Sequence, residues 1–283
     1  MLKRRDKNDI GRLKDAIVGA SAIVVGAGAG LSTAAGFTYA GERFDRLFGD
    51  FAEKYGIRDM YSGGFYPFAT PEEYWAWWSR HIWHNRYEPA PKDTYGKLLA
   101  LLQGKDFFVL TTNVDHQFQL AGFPKERLFY MQGDLGLWQC SEPCHSATYD
   151  NYDVVRLMAQ DQRDMRVPSE LVPHCPRCGR PMAMNLRVDQ TFVEDEGWHE
   201  AAERYAAYLD AHQRGRVLYL ELGVGMNTPA IIKFPFWRRT LENGEATYAC
   251  VNYGEPFAPA EIRDRSIVLD ADIDVVFDQL LDR

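Results

Sequence analysis

The sequence predicts an α/β protein: a Rossmann-like parallel sheet with helices on both faces, plus a smaller helical and zinc-binding module. Three observations predict it. Short apolar runs alternate with helical patterns, as in a parallel sheet covered on both faces. The first run, Ala22–Val25, passes directly into Gly26-Ala27-Gly28-Ala29-Gly30 and then into a helical stretch. Four clustered cysteines lie where this alternation stops. A chain of 283 residues suits one large domain carrying a smaller one.

Taken in order, Asp9 to Ala20 reads as a helix, with Ile10, Leu13, Ile17 and Val18 on one face. Ala22–Val25 is a short buried strand. Leu31 to Ala35 has helical composition until Gly36 stops it. From Phe37 to Pro91 aromatics accumulate and no buried strand is evident. Within that stretch Thr70-Pro71-Glu72-Glu73 is a capping box with proline at the first helical position. The helix it opens carries Tyr74, Trp77, Trp78 and Ile82 at helical spacing. That stripe reads as core, with an acceptor-binding groove as the alternative. Lys97–Leu102 is the end of a short helix. Strands follow at Asp106–Thr111, Arg127–Met131, Arg216–Leu222, Thr247–Val251 and Ser266–Leu269, then a helix from about Asp272 to Leu281. Residues 1–36, 95–138 and 185–283 are therefore assigned to the Rossmann-like domain. Residues 37–94 form the aromatic-rich helical part of the small domain, and 139–184 the zinc module.

Composition narrows the function. A net charge of -8 argues against a broad electrostatic grip on nucleic acid, which needs clustered excess cation. No stretch approaches the ~20 apolar residues that span a bilayer. Met1 to Asp9 is charged and no signal-peptide core follows it, so a cytoplasmic protein is expected. In a reducing compartment the clustered cysteines are not expected to form disulfides. Cys250, inside the apolar run Thr247–Val251, reads as a buried core thiol.

Cys140 and Cys144 are separated by three residues, Cys175 and Cys178 by two. Two such knuckles supply four thiolates for a tetrahedral zinc. A closed set of four leaves no open coordination position, so the expected metal is structural. His145 and His174 flank the knuckles but are not needed as ligands.

The glycine loop between strand and helix aims N–H groups and a helix N-terminus at an anion. The strict Gly-x-Gly-x-x-Gly fingerprint fails, since Gly26 and Gly28 would need a third glycine at Leu31. A hydride-transferring dehydrogenase is thus a poor fit, while a nucleotide-binding sheet remains a good one. The strand ends agree. Thr112-Asn113-Val114-Asp115-His116, Gln132-Gly133-Asp134, Gly223-Val224-Gly225-Met226-Asn227 and Asn252-Tyr253-Gly254 each follow a strand. Parallel sheets bind ligands outside the carboxyl ends of their strands, and these small and amide side chains suit ribose, pyrophosphate and carboxamide groups.

In this order the motifs resemble those of the sirtuin family. Gly28-Ala29-Gly30-Leu31-Ser32 with Ala35-Gly36 resembles its opening Gly-Ala-Gly-Ile-Ser…Gly motif, and Thr112-Asn113-Val114-Asp115 its Gln-Asn-Ile-Asp motif. The cysteine pairs resemble its zinc module. Gly223, Val224, Gly225 and Asn227 resemble its phosphate and ribose loop, Asn252 its adenosine-side asparagine, and Ile273 its last adenine contact. The resemblance implies an enzyme that consumes NAD by breaking the nicotinamide–ribose bond. It implies that Asp115 and the Val114 backbone hold the carboxamide, and that Asn113 positions the nicotinamide ribose and a nearby water.

Two departures refine this. The family's deacylases carry His-Gly where Gln132-Gly133 stands, and a glutamine amide takes up no proton near neutral pH. His116 is displaced along another loop and is not expected to substitute. The family's Pro-Asp-Phe-Arg run reads Thr38-Tyr39-Ala40-Gly41, so Arg43 and Phe44 are expected to take its place. Gly41–Phe44, Gln132 and Gly223–Pro229 resemble the macrodomain-linked (class M) microbial branch. That resemblance implies mono-ADP-ribosylation of a lipoylated glycine-cleavage-H-like carrier, with a macrodomain ADP-ribose hydrolase as a further partner. Asn113, Asp115 and Gln132 are the expected reaction-centre residues. The alternatives are an NAD-dependent deacylase and a non-catalytic NAD or ADP-ribose-binding module.

Overall fold

The computed structural model describes residues 4–226 and 229–282. Nine strands are present among them: β1 (Ala22–Ala27), β2 (Phe107–Thr111), β3 (Leu128–Tyr130), β4 (Gly133–Cys140), β5 (Tyr149–Asp150), β6 (Met182–Leu186), β7 (Val217–Leu222), β8 (Thr247–Val251) and β9 (Ser266–Leu269). The helices are α1 (Arg4–Gly19), α2 (Ala29–Ala34), α3 (Glu42–Tyr55), α4 (Met60–Gly63), α5 (Pro71–Ile82), α6 (Thr94–Leu101), α7 (Gln117–Leu120), α8 (Tyr152–Asp161), α9 (Glu196–Ala211), α10 (Lys233–Glu242) and α11 (Ile273–Leu280). A single π turn, Trp83–Tyr87, extends α5. No helix among the described residues is long and apolar enough to cross a membrane.

The large sheet has six parallel strands in the order β3-β2-β1-β7-β8-β9. The chain moves outward from β1 on one side and outward from β7 on the other. The reversal opens a crevice at the carboxyl ends of β1 and β7, where such sheets bind ligands. Side chains alternate along β1. Ile23 and Val25 join Leu13, Ile17, Leu98 and Phe277 on one face, while Val24 joins Phe108, Tyr219, Ile232 and Phe236 on the other. Burial on both faces explains the continuous apolar runs in the sequence.

A second, antiparallel sheet, β5-β4-β6, straddles both ends of the cysteine segment. No residue in β4 is β-branched, and Gly133 and Gly136 interrupt it, so it carries little strand signal in the sequence. The helix α3 was likewise not expected. Its Phe44, Phe48 and Phe51 join Trp75, Trp77 and Ile82 of α5 and Trp138, Cys140, Cys175 and Met182 of the cysteine segment in one core. The aromatic helices and the small sheet are therefore one packed unit. Thr70 caps α5 as expected: its side chain accepts from the Glu73 N–H, with Pro71 in the first turn.

The glycine loop meets the loop after β7 backbone to backbone. A Cβ on Gly30 would lie 2.6 Å from the Gly223 Cα, and one on Gly28 would lie 2.8 Å from the Gly223 oxygen. Gly223 itself has φ +62°, a conformation that favours glycine. Gly30→Ala is expected to cost about 1–3 kcal/mol of stability, read by denaturant unfolding, because neither backbone can yield.

Candidate active site

The four cysteine sulfurs lie within 4.8 Å of one another. Cys140 and Cys178 Sγ are 3.6 Å apart, and Cys144 and Cys175 Sγ are 3.7 Å apart. A tetrahedral zinc with Zn–S bonds of about 2.3 Å needs sulfur separations of roughly 3.8 Å, so the set fits a structural zinc. The His145 Nδ1 stands 3.0 Å from Cys144 Sγ, beside the set and not in it. His174 faces the Val172 carbonyl. Cys250 is fully buried against Glu221, and burial pushes its thiol up to about 12.

The glycine loop uses its amides differently from the expectation. The N–H groups of Gly28 and Gly30 donate to the carbonyls of Leu222 and Gly223. The loop is thereby locked to β7, and Ala29 between them faces a cavity of about 580 Å³. Ser32, Thr112, Asn113, Val114, Asp115 and Gln132 line the same cavity. A larger cleft, of about 950 Å³, opens between α9 and α10 near the starts of β7 and β8. None of the predicted residues reaches it, and arginines and carboxylates are mixed along it, so the smaller cavity is the candidate site.

Its floor is ordered by hydrogen bonds. Asn113 is buried; its Nδ2 donates to the Gly28 carbonyl at 3.0 Å and its backbone N–H to Thr111 Oγ1 at 3.0 Å. The buried Asp115 carboxylate accepts from Ser32 Oγ at 2.5 Å, from Tyr95 OH at 3.3 Å and from the Gln117 N–H at 3.3 Å. Burial raises its pKa from the ordinary value, and these three donors oppose the rise. Gln132 is fixed through its carbonyl, which accepts from the Arg187 N–H, and its side-chain amide has no partner among the described residues. Gly133, at φ +94°, makes the turn. His116 does not line the cavity; its Nδ1 is paired 2.5 Å from Asp134 Oδ2.

The small domain supplies the opposite wall: Phe37, Tyr39, Tyr61, Phe65, Tyr74, Trp78 and His81. The aromatic stripe of α5 thus divides. Trp77 and Ile82 are core, while Tyr74 and Trp78 face the cavity. Arg43 and Phe44 are not brought to it. Phe44 is 2% exposed and stacks on Phe48, because it falls on the same helical face. The Arg43 guanidinium binds Asn85 Oδ1 and the His84 carbonyl and lies over the Phe37 ring. Phe37 and Tyr39 line the cavity instead. The wall residues missed in the sequence were Phe37, Tyr39, Tyr61, Phe65 and His81; for His81 the spacing of 74, 78 and 81 on one helical face was the available signal.

His81 is 5% exposed, between the rings of Tyr39 and Trp78, with Nδ1 buried and unpartnered. Burial, with Arg43 and His84 nearby, lowers its pKa to about 3. The folded ring stays neutral where the unfolded one gains a proton, so its contribution is full above the unfolded value and lost as pH falls below it. From about pH 7.5 to about pH 5, wild type should lose about 2 kcal/mol more stability than His81→Phe. Denaturant unfolding of both proteins at the two pH values measures this.

The remaining predicted residues lie along the adjoining sheet edge. Gly223 and Val224 pack under the glycine loop, and Gly225 is exposed. The Asn252 Nδ2 donates to the Val224 carbonyl at 3.3 Å. Ile273 begins α11 with its side chain in the sheet core, so only its backbone is free to meet a ligand there. Asn227 lies outside the described residues.

Solved structures share this architecture. One reported under the mechanism and regulation of Sir2 enzymes matches with TM-score 0.62 at 17% identity, over 98% of this chain and 97% of that one. A Sir2 homologue in complex with NAD matches with TM-score 0.60 at 16% identity, over 96% and 92%. The fold is that of Sir2. In sequence, the chain is 42% identical over 262 residues to a protein ADP-ribosyltransferase of Staphylococcus aureus, covering 92% of this chain and 83% of that protein. The chain belongs to the family of Sir2-fold protein ADP-ribosyltransferases. Another relative, at 32% identity over 232 residues, is a probable bifunctional ADP-ribose hydrolase/ADP-ribosyltransferase of Fusarium oxysporum. The match covers 76% of this chain and 37% of that protein, so this member of the family corresponds to part of the fungal chain. No family model matches the chain.

Proposed function

We propose that this chain is an NAD-dependent protein mono-ADP-ribosyltransferase, with a lipoylated glycine-cleavage-H-like carrier as acceptor. NAD supplies a ribose bonded to a positively charged leaving group. The cavity suits it: its polar floor lies at the carboxyl ends of the strands, and the unpartnered Gln132 amide is available to a ligand. Asn113 is the residue that orients the reacting ribose, and Asp115 with the Val114 backbone the residues that hold the carboxamide. Their pre-set geometry lowers the barrier by orientation and by matching developing charge.

The observation that carries the reading is the chemistry of the imidazoles around the cavity. Gln132 takes up no proton, His116 does not line the cavity, and His81 is held neutral with a pKa near 3. Deacylation in this family needs a base at position 132; transfer of ADP-ribose to an incoming nucleophile does not. The aromatic wall gives the carrier's apolar lipoyl arm a place beside the polar floor. The pairing of hydrolase and transferase in the name of the Fusarium relative supports a macrodomain hydrolase as the partner that removes the modification. Intact-mass analysis of lipoylated and unlipoylated carrier after incubation with NAD tests this. An ADP-ribosyl increment confined to the lipoylated form is expected. Equal modification of both forms would remove the lipoyl requirement.

A further inference from the structure

Asp134 is 4% exposed and stands where three parts of the molecule meet. It opens the small sheet at the start of β4. Its Oδ1 accepts from Arg86 Nε at 2.6 Å and from the Gly136 N–H at 2.7 Å, and its Oδ2 pairs with His116 Nδ1. Arg86 comes from the π turn at the end of α5, a distortion that re-aims side chains and recurs at functional sites. A Cβ on Gly136 would lie 2.8 Å from Arg86 Nε, so the glycine makes room for the guanidinium. Burial would lift the Asp134 pKa, but the His116 hydrogen bond and the Arg86 charge outweigh it and hold the carboxyl below its usual range.

His116 comes from the sheet domain, directly after Asp115. It has φ +62°, a left-handed conformation that costs energy for any residue with a Cβ. Such strain persists where the surroundings over-determine it, and an outlier of this kind is grounds for a functional hypothesis. Here the return is a link between two loops. One carries Asn113 and Asp115; the other carries Gln132, two residues before Asp134. The Leu135 N–H also joins these loops by donating to the Val114 carbonyl at 2.9 Å, but among the described residues no other side-chain pair joins residues 112–116 to 132–134.

We propose that Arg86, Asp134 and His116 form a clamp of positioning residues, holding the Asn113–Asp115 loop at a fixed distance from Gln132 and registering both against α5. The clamp rests on the reading that this edge binds NAD. It assigns His116 a task other than proton transfer, and it gives the small domain a direct hold on the reacting end of the site.

The decisive variant is His116→Gly. It relieves the left-handed strain and removes the imidazole without leaving a buried charge unpaired, since Arg86 still meets Asp134. His116→Gln is its companion, because an amide N–H reaches toward Asp134. Hydrogen–deuterium exchange on the free protein is the first readout. In His116→Gly, amides of residues 113–117 and 132–136 should exchange about tenfold faster, with other segments and Tm unchanged. Calorimetric titration with NAD is the second, where Kd should weaken about tenfold and His116→Gln should recover most of it. Unchanged exchange and unchanged Kd would overturn the clamp. So would faster exchange across the whole chain with a matching fall in Tm, the mark of a general structural role. If wild type itself binds no NAD, the proposed function fails, and the exchange pattern alone decides the clamp.

Discussion

Asn113→Ala is expected to cut nicotinamide release from NAD by about 10²–10³-fold, to near background. The side chain is 8% exposed, lines the cavity and is held by the Gly28 carbonyl, so its remaining polar atom is pre-set toward the ligand. Truncation removes that group and frees a loop whose neighbours, Asp115 and Gln132, do not move to replace it. The loss should fall on turnover. The variant leaves untouched the edge near Gly223 and Asn252 proposed for the adenosine half, so Kd for NAD should change by less than about fivefold. Tm within a few degrees of wild type would show that the loss is chemical. Full nicotinamide release by the variant would remove Asn113 from the reaction centre.

Removal of zinc is the second large effect. Cys140 and Cys175 are buried in the same core as Phe44, Trp77 and Trp138, so the metal site and the aromatic wall share their packing. Structural zinc contributes on the order of 10 kcal/mol to folding of such modules. A strong chelator, or Cys175→Ser, should release one equivalent of zinc and melt the small domain. ADP-ribosyl transfer should disappear. The parallel sheet has its own two cores and should keep much of its secondary structure, seen as a partial loss of far-UV ellipticity. Retained transfer after complete zinc loss would contradict a shared core.

The large sheet was legible because burial on both faces writes each strand as an apolar run; Thr247–Val251 and Ser266–Leu269 match to the residue. The cysteine site was legible because thiolate spacing carries its own chemistry. The floor of the cavity was legible because its residues sit at strand ends. The small domain was harder. Its core is assembled across distant segments, and only folding reveals that Phe44 stacks on Phe48 in the core that holds Trp77 rather than over a ligand. The spacing of Phe44, Phe48 and Phe51 marks one helical face, a signal of core that the motif comparison at Phe44 overrode. Tyr39 and His81 carry no motif, and their role depends on which side of α5 meets the sheet. The His116–Asp134 pair joins residues that are adjacent to motifs without belonging to them.

The central claim is that ADP-ribose stays on a protein. The most direct measurement uses NAD labelled in its adenine, incubated with the enzyme and the lipoylated carrier, with label on protein and free nicotinamide counted together. Label on the carrier in a one-to-one ratio with nicotinamide released is expected, with the carrier's acyl group retained. Nicotinamide release with loss of the acyl group and no label on protein would contradict it.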